Sequence, residues 1–365
     1  MHRSVLLRLA LAGALIAFAL GWVAPAGAKN LYNVDRLVSD NGVPGTTIDP
    51  NLVNAWGLAA GPMTPWWVAD NGTDASTLYT GAGAAIPLVV SVGGGPTGLV
   101  FNGSATDFVV TDGTTSGVAR FIFASEDGMI RGWSPGVPSP PPPPPALPLS
   151  TQTEVAVDRS AEGAIYKGLA IADTDNGPRL YAADFHNARV DVFDGSWNLI
   201  QKKNRFVDPK IPDGYAPFGI QAIGRTIYVA YAKQDAAAED ELAGPGRGFV
   251  DAYFLGGRLK FRVAQQGKLN APWGIARAPK SFGRFGGDLL IGNFGNGHIN
   301  AYERDDDHFG HAGQLLTGHE EPLEIDGLWA LEFGNGGAAG PTDTLFFTAG
   351  PDDESHGLFG SITAG

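Results

Sequence analysis

The chain has 365 residues, a formal net charge of −13, 44% hydrophobic and 17% charged residues, and no Cys. The acidic balance argues against nucleic acid or an anionic membrane surface as a partner. The lack of Cys excludes disulfides, thiolate catalysis and zinc–sulfur sites. With 52 Gly and 26 Pro, turn formers fill about a fifth of the chain, which favours many short strands joined by tight turns.

The first residues have the features of an export signal. Arg3 and Arg8 lie around the start of an uncharged apolar run, which ends before Ala26-Gly27-Ala28. A basic start, a short apolar run and small residues at the cut predict a signal peptide over residues 1–28, cleaved near Ala28. The mature chain, residues 29–365, is then a secreted or periplasmic single domain with no membrane span. It loses two arginines and no acid, so its formal charge becomes −15.

One sequence pattern recurs six times along the mature chain. It consists of an apolar strand that contains a small residue, a polar turn, and an apolar strand that ends in an aromatic, as in residues 66–71 followed by 78–79. The small residues are Ala69, Ala124, Ala183, Ala230, Gly292 and Thr348, separated by 55, 59, 47, 62 and 56 positions. An upstream strand in each copy starts with Trp56-Gly57, Thr97-Gly98, Lys167-Gly168, Phe218-Gly219, Trp273-Gly274 or Trp329-Ala330.

Most copies also have a fourth strand, and four strands repeated radially predict an all-β, six-bladed β-propeller. Gly suits the innermost strands, because these crowd around the axis and leave little room for side chains. The last unit has only three strands, so we expect residues 34–38 to supply the fourth and to close the ring. The alternatives are a β-helix, for which the period is too long, and a sandwich, which would not repeat two strands six times.

Two segments interrupt the repeats. Residues 108–110 form an extra apolar stretch inside the second unit, which we interpret as part of an inserted hairpin. The prolines at 140–145 lie in a Pro-rich surface loop, residues 137–150. Such a run adopts polyproline II and cannot join a ladder, so it should project from the domain. A tolerated insertion is favoured over a ligand for an aromatic groove.

Polar side chains collect on one predicted face, because the loops between strands 2 and 3 open beside the starts of the first strands. The candidate binding residues are Asp70, Asn71, Glu126, Asp127, Asp184, His186, Asn293, Asp352, Glu354 and His356. The same loop of the fourth unit is long and acidic, with Asp235, Glu239, Asp240 and Glu241. Oxygen ligands of this kind suit Ca²⁺ or Mg²⁺. Asp and Asn are equally favoured by tight turns, whereas Glu126, Asp352, Glu354 and His356 are harder to explain in that way.

Two further groups each have two interpretations. The tract at 305–308, with His311 and His319, is interpreted as a solvated acidic loop between strands 3 and 4 of the fifth unit, on the opposite face, with adventitious metal binding as the alternative. The aromatic residues at the inner-strand starts form either a ring for a sugar or apolar ligand, or packing between blades. They are Trp56, Phe218, Trp273 and Trp329.

The repeats, for example residues 180–193 (LYAADFHNARVDVF), resemble blades of the NHL type. More narrowly, residues 51–58 (NLVNAWGL), 123–133 (FASEDGMIRGW) and 355–360 (SHGLFG) are similar to an uncharacterised family of exported bacterial propellers. Some members of that family carry a C-terminal PEP-CTERM sorting tail. The resemblance runs over essentially the whole mature chain and implies a propeller fold and export, with no established activity.

Two functions of different classes remain open at this point. The preferred one is a secreted or periplasmic binding scaffold, expected to be a monomer, that contacts an extracytoplasmic protein or glycan through its polar face. The alternative is a divalent-metal-dependent hydrolase or lactonase acting at the central channel. That alternative rests on a fold analogy with gluconolactonase-like propellers, whose metal ligands have no residue-by-residue match here. The chain has no G-x-S-x-G elbow and no P-loop.

Overall fold

The computed structural model describes residues 30–139, 149–200, 203–306 and 308–365. The predicted signal peptide and the proline run at 140–145 lie outside these residues. The described chain forms six small sheets, which confirms the predicted six-bladed β-propeller. Strands within a sheet pair in antiparallel fashion, apart from one short parallel pair. No helix in the described residues is long and apolar enough to cross a membrane.

The strands are numbered in chain order, and each blade runs from its innermost to its outermost strand. The chain begins with β1 (Tyr32–Ser39) and β2 (Thr47–Ile48), which belong to blade 6. Blade 1 holds β3 (Ala55–Ala59), β4 (Trp66–Asp70), β5 (Ala75–Tyr79) and β6 (Val90–Ser91). Blade 2 holds β7 (Pro96–Phe101), the hairpin β8 (Val109–Thr111) and β9 (Ser116–Val118), then β10 (Phe121–Ser125), β11 (Met129–Trp133) and β12 (Glu154–Asp158). Blade 3 holds β13 (Tyr166–Thr174), β14 (Gly177–Asp184) and β15 (Arg189–Asp194).

The second half of the ring continues the same order. Blade 4 holds β16 (Tyr215–Ile223), β17 (Thr226–Lys233), β18 (Phe249–Phe254) and β19 (Leu259–Gln265). Blade 5 holds β20 (Pro272–Arg277), β21 (Leu289–Asn293), β22 (Ile299–Asp305) and β23 (His308–Gln314). Blade 6 adds β24 (Leu328–Phe333), β25 (Leu345–Ala349) and β26 (Leu358–Ala364). Short 3-10 turns lie at Asn71–Thr73, Ser160–Glu162, Gly283–Phe285 and Phe294–Asn296.

Glycines at the inner strands set how closely neighbouring blades approach. A Cβ on Gly168 would lie 2.6 Å from the carbonyl oxygen of Phe218, and one on Gly219 would lie 2.1 Å from that of Trp273. Gly274 stands in the same relation to Trp329, at 2.5 Å. Backbone cannot yield to such contacts, so these positions require Gly. The prediction that crowding at the axis selects Gly is confirmed.

The two ends of the described chain meet in blade 6, as predicted. Strand β1 pairs antiparallel with β26 from Tyr32 opposite Ala364 to Ser39 opposite Leu358, with one irregularity after Arg36. The pairing makes β1 the fourth strand of the blade, and β2 adds a short parallel strand outside it. The N-terminal strand therefore covers the edge that β26 would otherwise expose.

The core is divided among the blade interfaces. In the described residues, each pair of neighbouring blades shares one buried hydrophobic cluster; blades 6 and 1, for example, contribute Phe346 and Trp66 to theirs. Another cluster lies near the axis. Each sheet is thus buried on both faces by its neighbours, which explains why its strands are apolar over consecutive residues rather than alternating.

Several details refine the sequence-based picture. Residues 109–111 and 116–118 form the inserted hairpin that was expected in blade 2. The fourth strand of blade 1 is only the two residues of β6, and blade 3 is a sheet of three strands. The acidic tract of blade 5 is not a long loop, because β22 ends at Asp305 and β23 begins at His308. His308 and His311 therefore lie on a strand.

Candidate functional site

Aromatic side chains close the axis at the end where the inner strands start. The indole rings of Trp56 and Trp329 stack with centroids 3.7 Å apart, and Phe294 stacks on Trp329 at 4.1 Å. Phe218 and Trp273 pack against Trp329 edge-on. Trp56 and Trp329 are 1% and 0% exposed, so they offer no surface to a sugar. We call this group the aromatic plug; of the two interpretations of these residues, the packing role is the one observed.

A buried lysine lies over the aromatic plug. Lys167 is 1% exposed, and its Nζ lies 5.2 Å from the centroid of the Trp56 ring. The ammonium donates hydrogen bonds to Oε1 of Glu126 at 2.5 Å and to Oδ1 of Asp240 at 2.9 Å. Burial alone would lower the pKa of Lys167, but the two carboxylates outweigh it and raise the pKa above its ordinary value. The charged form of the side chain is therefore favoured over the free amine that a base or an amine nucleophile requires.

Two asparagines connect this ion pair to the loop of blade 6. The Asn71 amide donates to Oε2 of Glu126 at 2.9 Å. The Asn54 amide donates to Oδ1 of Asn71 at 3.1 Å and to Oε2 of Glu354 at 2.6 Å. The Oδ1 atom of Asn54 accepts a hydrogen bond from the indole of Trp329 at 2.9 Å, which anchors the network to the aromatic plug. Carboxylates from blades 2, 4 and 6 thus gather around one ammonium, and we call Lys167, Glu126, Asp240, Glu354 and Asn54 the lysine cluster.

Burial raises the pKa of two carboxyl groups in and beside the lysine cluster. The pKa of Glu241 is raised to about 8, and Lys167 opposes part of that shift. Burial also raises the pKa of Glu354, against the hydrogen bond from Asn54. Burial thus favours the neutral form of both groups, which limits the repulsion among the acids that surround the one ammonium.

The remaining candidates do not join the lysine cluster. Asp127 is bound by Arg131, with NH2 to Oδ2 at 2.6 Å. The carboxyl group of Asp184 is buried, accepts a hydrogen bond from Asn187 at 2.9 Å and forms an ion pair with Arg189 at 3.0 Å. The Asn293 carboxamide makes two hydrogen bonds with the backbone. It accepts one from the N–H of residue 270 and donates one to the carbonyl of residue 268. These side chains stabilise turns in the way that Asp and Asn commonly do.

Two other candidates have buried side-chain atoms with no hydrogen-bond partner in the described residues. Both carboxyl oxygens of Asp70 lack a hydrogen bond there, and burial raises the pKa of Asp70 well above its ordinary value. This environment favours the neutral form of Asp70. The Nδ1 atom of His186 also lacks a partner in the described residues. In those residues, no group of three or more His, Cys, Asp or Glu side chains is arranged to hold a metal ion.

Asp352 and His356 lie at the outer part of the same face. Asp352 is exposed and has a φ of 55°, and its N–H donates to Asp326. The imidazole Nδ1 of His356 lies 2.8 Å from Oδ2 of Asp40, and the N–H of Gly357 donates to the other oxygen of the same carboxylate. Asp40 follows β1 directly, so this contact ties the loop before β26 to the strand that closes the ring. The hydrogen bond with Asp40 raises the pKa of His356.

The contact between His356 and Asp40 is expected to make stability depend on pH. Because the pKa of His356 is higher in the folded state, the stabilisation is complete below the unfolded pKa of about 6.5 and is lost as the pH rises through the folded pKa. Urea unfolding of the wild type and of His356→Gln at about pH 5.5 and about pH 9 measures this. The difference between the two proteins should be larger at the lower pH. The same difference at both pH values would contradict the prediction, and exposed His319→Gln is the control.

The other end of the axis has a different character. A cavity of about 220 Å³ lies among the ends of the inner strands, lined by Trp66, Phe101 and Phe333 and by the acid Glu332. Burial raises the pKa of Glu332 to about 7, and the amide of Gln221 donates to its carboxyl group. The aromatic plug separates this cavity from the lysine cluster, so the axis is not an open channel.

Comparisons with known proteins place the chain in a family. No family model matches it. An uncharacterised protein of Acanthamoeba polyphaga mimivirus is 32% identical over 351 residues, covering 93% of this chain and 82% of that protein. A second uncharacterised protein of the same virus is 31% identical over 354 residues, covering 93% of this chain and 87% of that protein. The chain belongs to this family.

Solved structures show the same fold at low sequence identity. The soluble aldose sugar dehydrogenase of Escherichia coli, in its apo form, aligns with a TM-score of 0.53 at 14% identity, covering 92% of this chain and all of that one. A protein of unknown function from Bacteroides thetaiotaomicron aligns with a TM-score of 0.56 at 10% identity, over 91% of this chain and 76% of that one. At these identities the likeness extends to the propeller fold and not to the activity of this family.

Proposed function

We propose that the protein is an exported binding scaffold that uses the face around the lysine cluster to hold a cationic segment of an extracytoplasmic protein or aminoglycan. The observation that carries this proposal is the ammonium of Lys167, which lies between Glu126 and Asp240. Carboxylates from several blades converge there as they would on a divalent ion, but a fixed cation of the chain itself satisfies them. The face is therefore built around a stable ion pair.

The same ammonium argues against the metal-dependent hydrolase. A divalent ion at this point would lie next to the positive Lys167 ammonium and be repelled by it. Glu126 and Asp240 favour the charged form of that group. Two of the carboxylates that could bind such an ion also have other partners already. Glu354 accepts a hydrogen bond from Asn54, and Glu126 accepts one from Asn71. The carboxylates of the lysine cluster in their present arrangement therefore do not fit a divalent ion.

The charge of the surrounding surface supports a cationic ligand. Exposed acids rim the lysine cluster on the loops of blades 4 and 6; they are Glu239, Asp326, Asp352 and Asp353. Lys167 is buried, so it does not neutralise this rim for an approaching partner. A surface of one sign steers ligands of the opposite sign and binds them with a strong dependence on salt. Basic peptide segments and amino sugars have the required charge.

Titration of hexalysine into the protein by calorimetry at low ionic strength tests the proposal. We expect saturable binding that weakens as salt is added, and affinity about tenfold lower for Asp352→Asn/Asp353→Asn. The matched control is Asp305→Asn/Asp306→Asn, which removes two exposed acids from the turn between β22 and β23 on the opposite face. That control should bind as the wild type does.

Three results would overturn the binding proposal. The first is no saturable binding of hexalysine, and the second is equal loss in the two double variants. The third is a Ca²⁺-dependent rise in the melting temperature of the wild type that disappears in Glu126→Ala or Glu354→Ala, which would establish the metal-dependent alternative instead.

A further inference from the structure

A large cleft runs along the outer side of blade 3. Its volume is about 910 Å³, and it lies between β15 and the parts of blade 4 that face it. Blade 3 has three strands, so β15 is its outermost strand, and Val190 and Val192 form part of the cleft wall. The turns between β13 and β14, β16 and β17, and β18 and β19 border it. These turns lie on the face opposite the lysine cluster, so the cleft is separate from the proposed binding face.

The cleft concentrates positive charge in a chain that is otherwise acidic. Its described lining includes six basic side chains and two acidic ones, whereas the whole chain has 25 basic and 38 acidic residues. The basic side chains are Arg179, Arg189, Lys203, Arg205, Arg225 and Lys260. This ratio reverses the balance of the whole chain, so the cleft has a positive potential against a negative background.

The two acids of the cleft are already occupied. Asp191 accepts a hydrogen bond from Nε of Arg189 at 2.9 Å, and Asp175 pairs with Arg225 at 3.1 Å. Within the described residues, Arg179, Lys203, Arg205 and Lys260 form no ion pair. Several cations therefore face one cavity without a counter-ion supplied by the described chain.

Lys260, one of the cations that line the cleft, has no acidic hydrogen-bond partner in the described residues. Its Nζ donates to the Thr226 hydroxyl at 2.7 Å and to the carbonyl of Arg225 at 3.1 Å, both neutral acceptors. Burial and the neighbouring guanidinium groups of Arg304, Arg225 and Arg258 lower the pKa of Lys260. An anion in the cleft would relieve this repulsion, because it would favour the charged form of each lysine and arginine.

Apolar side chains cover the rest of the wall. Val207 and Phe254 are 55% and 39% exposed, and Leu199 and Ile200 lie beside them. A cleft of this volume with an apolar wall and a few charged groups has the features of a site for a small organic molecule. The guanidinium groups match the paired oxygens of phosphate and sulfate groups in bidentate geometry.

We infer that this cleft binds a small organic polyanion, a phosphate or sulfate ester, with its charged groups on the arginines and lysines and its organic part against Val207 and Phe254. The site is independent of the proposed cationic ligand, because no residue that lines the cleft belongs to the lysine cluster and the two sites have opposite charge. The molecule would then hold ligands of opposite sign at two separate sites.

Calorimetric titrations with sodium tripolyphosphate and with sucrose octasulfate test the inference and distinguish phosphate from sulfate recognition. We expect saturable binding of at least one probe, suppressed by salt, and no binding of neutral sucrose. Lys203→Gln/Arg205→Gln removes two exposed cations that make no ion pair in the described chain, so it should fold normally and bind at least about tenfold more weakly.

The matched control is Arg36→Gln/Lys268→Gln, which removes two exposed cations far from the cleft. It should bind the probes as the wild type does. The inference is overturned if neither probe binds saturably, or if the two double variants lose affinity equally, since the second result would show attraction by overall charge alone.

Discussion

Replacing Lys167 by methionine is expected to lower the free energy of unfolding by about 3 kcal/mol, although the two side chains have similar length. The substitution leaves Glu126 and Asp240 without their common hydrogen-bond donor, close to Glu354. Removing one member of a buried ion pair costs more than the pair contributes, because the partner charge stays behind. Asp240 is well exposed and can turn to water, which places the effect at the lower end of the usual range. Denaturant unfolding at neutral pH measures it.

Two further measurements separate this electrostatic cause from a loss of packing. The deficit of Lys167→Met should shrink at acidic pH, because protonation removes the unpaired carboxylate charges. Ca²⁺ should raise the melting temperature of Lys167→Met and not that of the wild type, since the substitution frees the carboxylates for an ion. Lys210→Met, at an exposed position, is the control. A deficit no larger than that of the control would show that the ion pair contributes little to the fold.

Gly219→Ala is expected to destabilise the protein by about 3 kcal/mol, the upper end of the usual cost of overpacking. The added Cβ would lie 2.1 Å from the carbonyl oxygen of Trp273 and 2.8 Å from its carbonyl carbon. Both atoms belong to the backbone of the next blade, so relief requires two sheets to move apart near the axis. Denaturant unfolding of the variant and the wild type gives the difference.

The matched control is Gly310→Ala on β23, the outermost strand of blade 5. Apart from its neighbours in sequence, no heavy atom of the described residues lies within 4 Å of the Cβ that this substitution adds, so the change in stability should stay within about 0.5 kcal/mol. A Gly219→Ala protein as stable as Gly310→Ala would contradict the account of the inner strands. The two substitutions add the same methyl group, and only the distance to neighbouring backbone differs.

The fold was predictable because it repeats. The sequence contains six copies of one pattern, each with Gly or Ala at an inner strand. Each copy can bury its hydrophobic faces only against neighbouring copies, and this favours a closed ring. The closure by β1 followed from the three strands of the last unit. The short β6 was not foreseen, because residues 86–91 have the apolar composition of a strand but only Val90 and Ser91 pair. Composition indicates a strand and does not fix where its hydrogen bonds end.

The site was predictable only in part. Asn71, Glu126 and Glu354 were expected on one face, and the structure joins them in one network. The central residue, Lys167, was overlooked as a site residue, although a signal existed in the sequence. Of the six residues that precede the inner-strand Gly or Ala, four are aromatic, one is Thr, and only Lys167 is charged.

No sequence pattern would have revealed the other parts of the arrangement. Asn54 and Glu354, which share a hydrogen bond, are 300 positions apart in the sequence. Asp240, which accepts a hydrogen bond from Lys167, lies in a loop whose length differs from that of the same loop in other blades. Contacts of this kind depend on how the blades are rotated about the axis, which the repeat spacing does not determine. The basic cleft is likewise assembled from strands and connecting segments of blades 3 and 4, and its six cations are scattered between positions 179 and 260.

The pairing of β1 with β26 has a consequence for biogenesis. Residues 32–39 are synthesised long before residues 358–364, yet they form adjacent strands of one sheet. Until residues 358–364 are available, the ring stays open and two blade faces remain exposed to non-native association. Closure of the ring should therefore be a late and concerted event that follows synthesis of β26, and the blades that form earlier wait for that strand before both of their faces are covered.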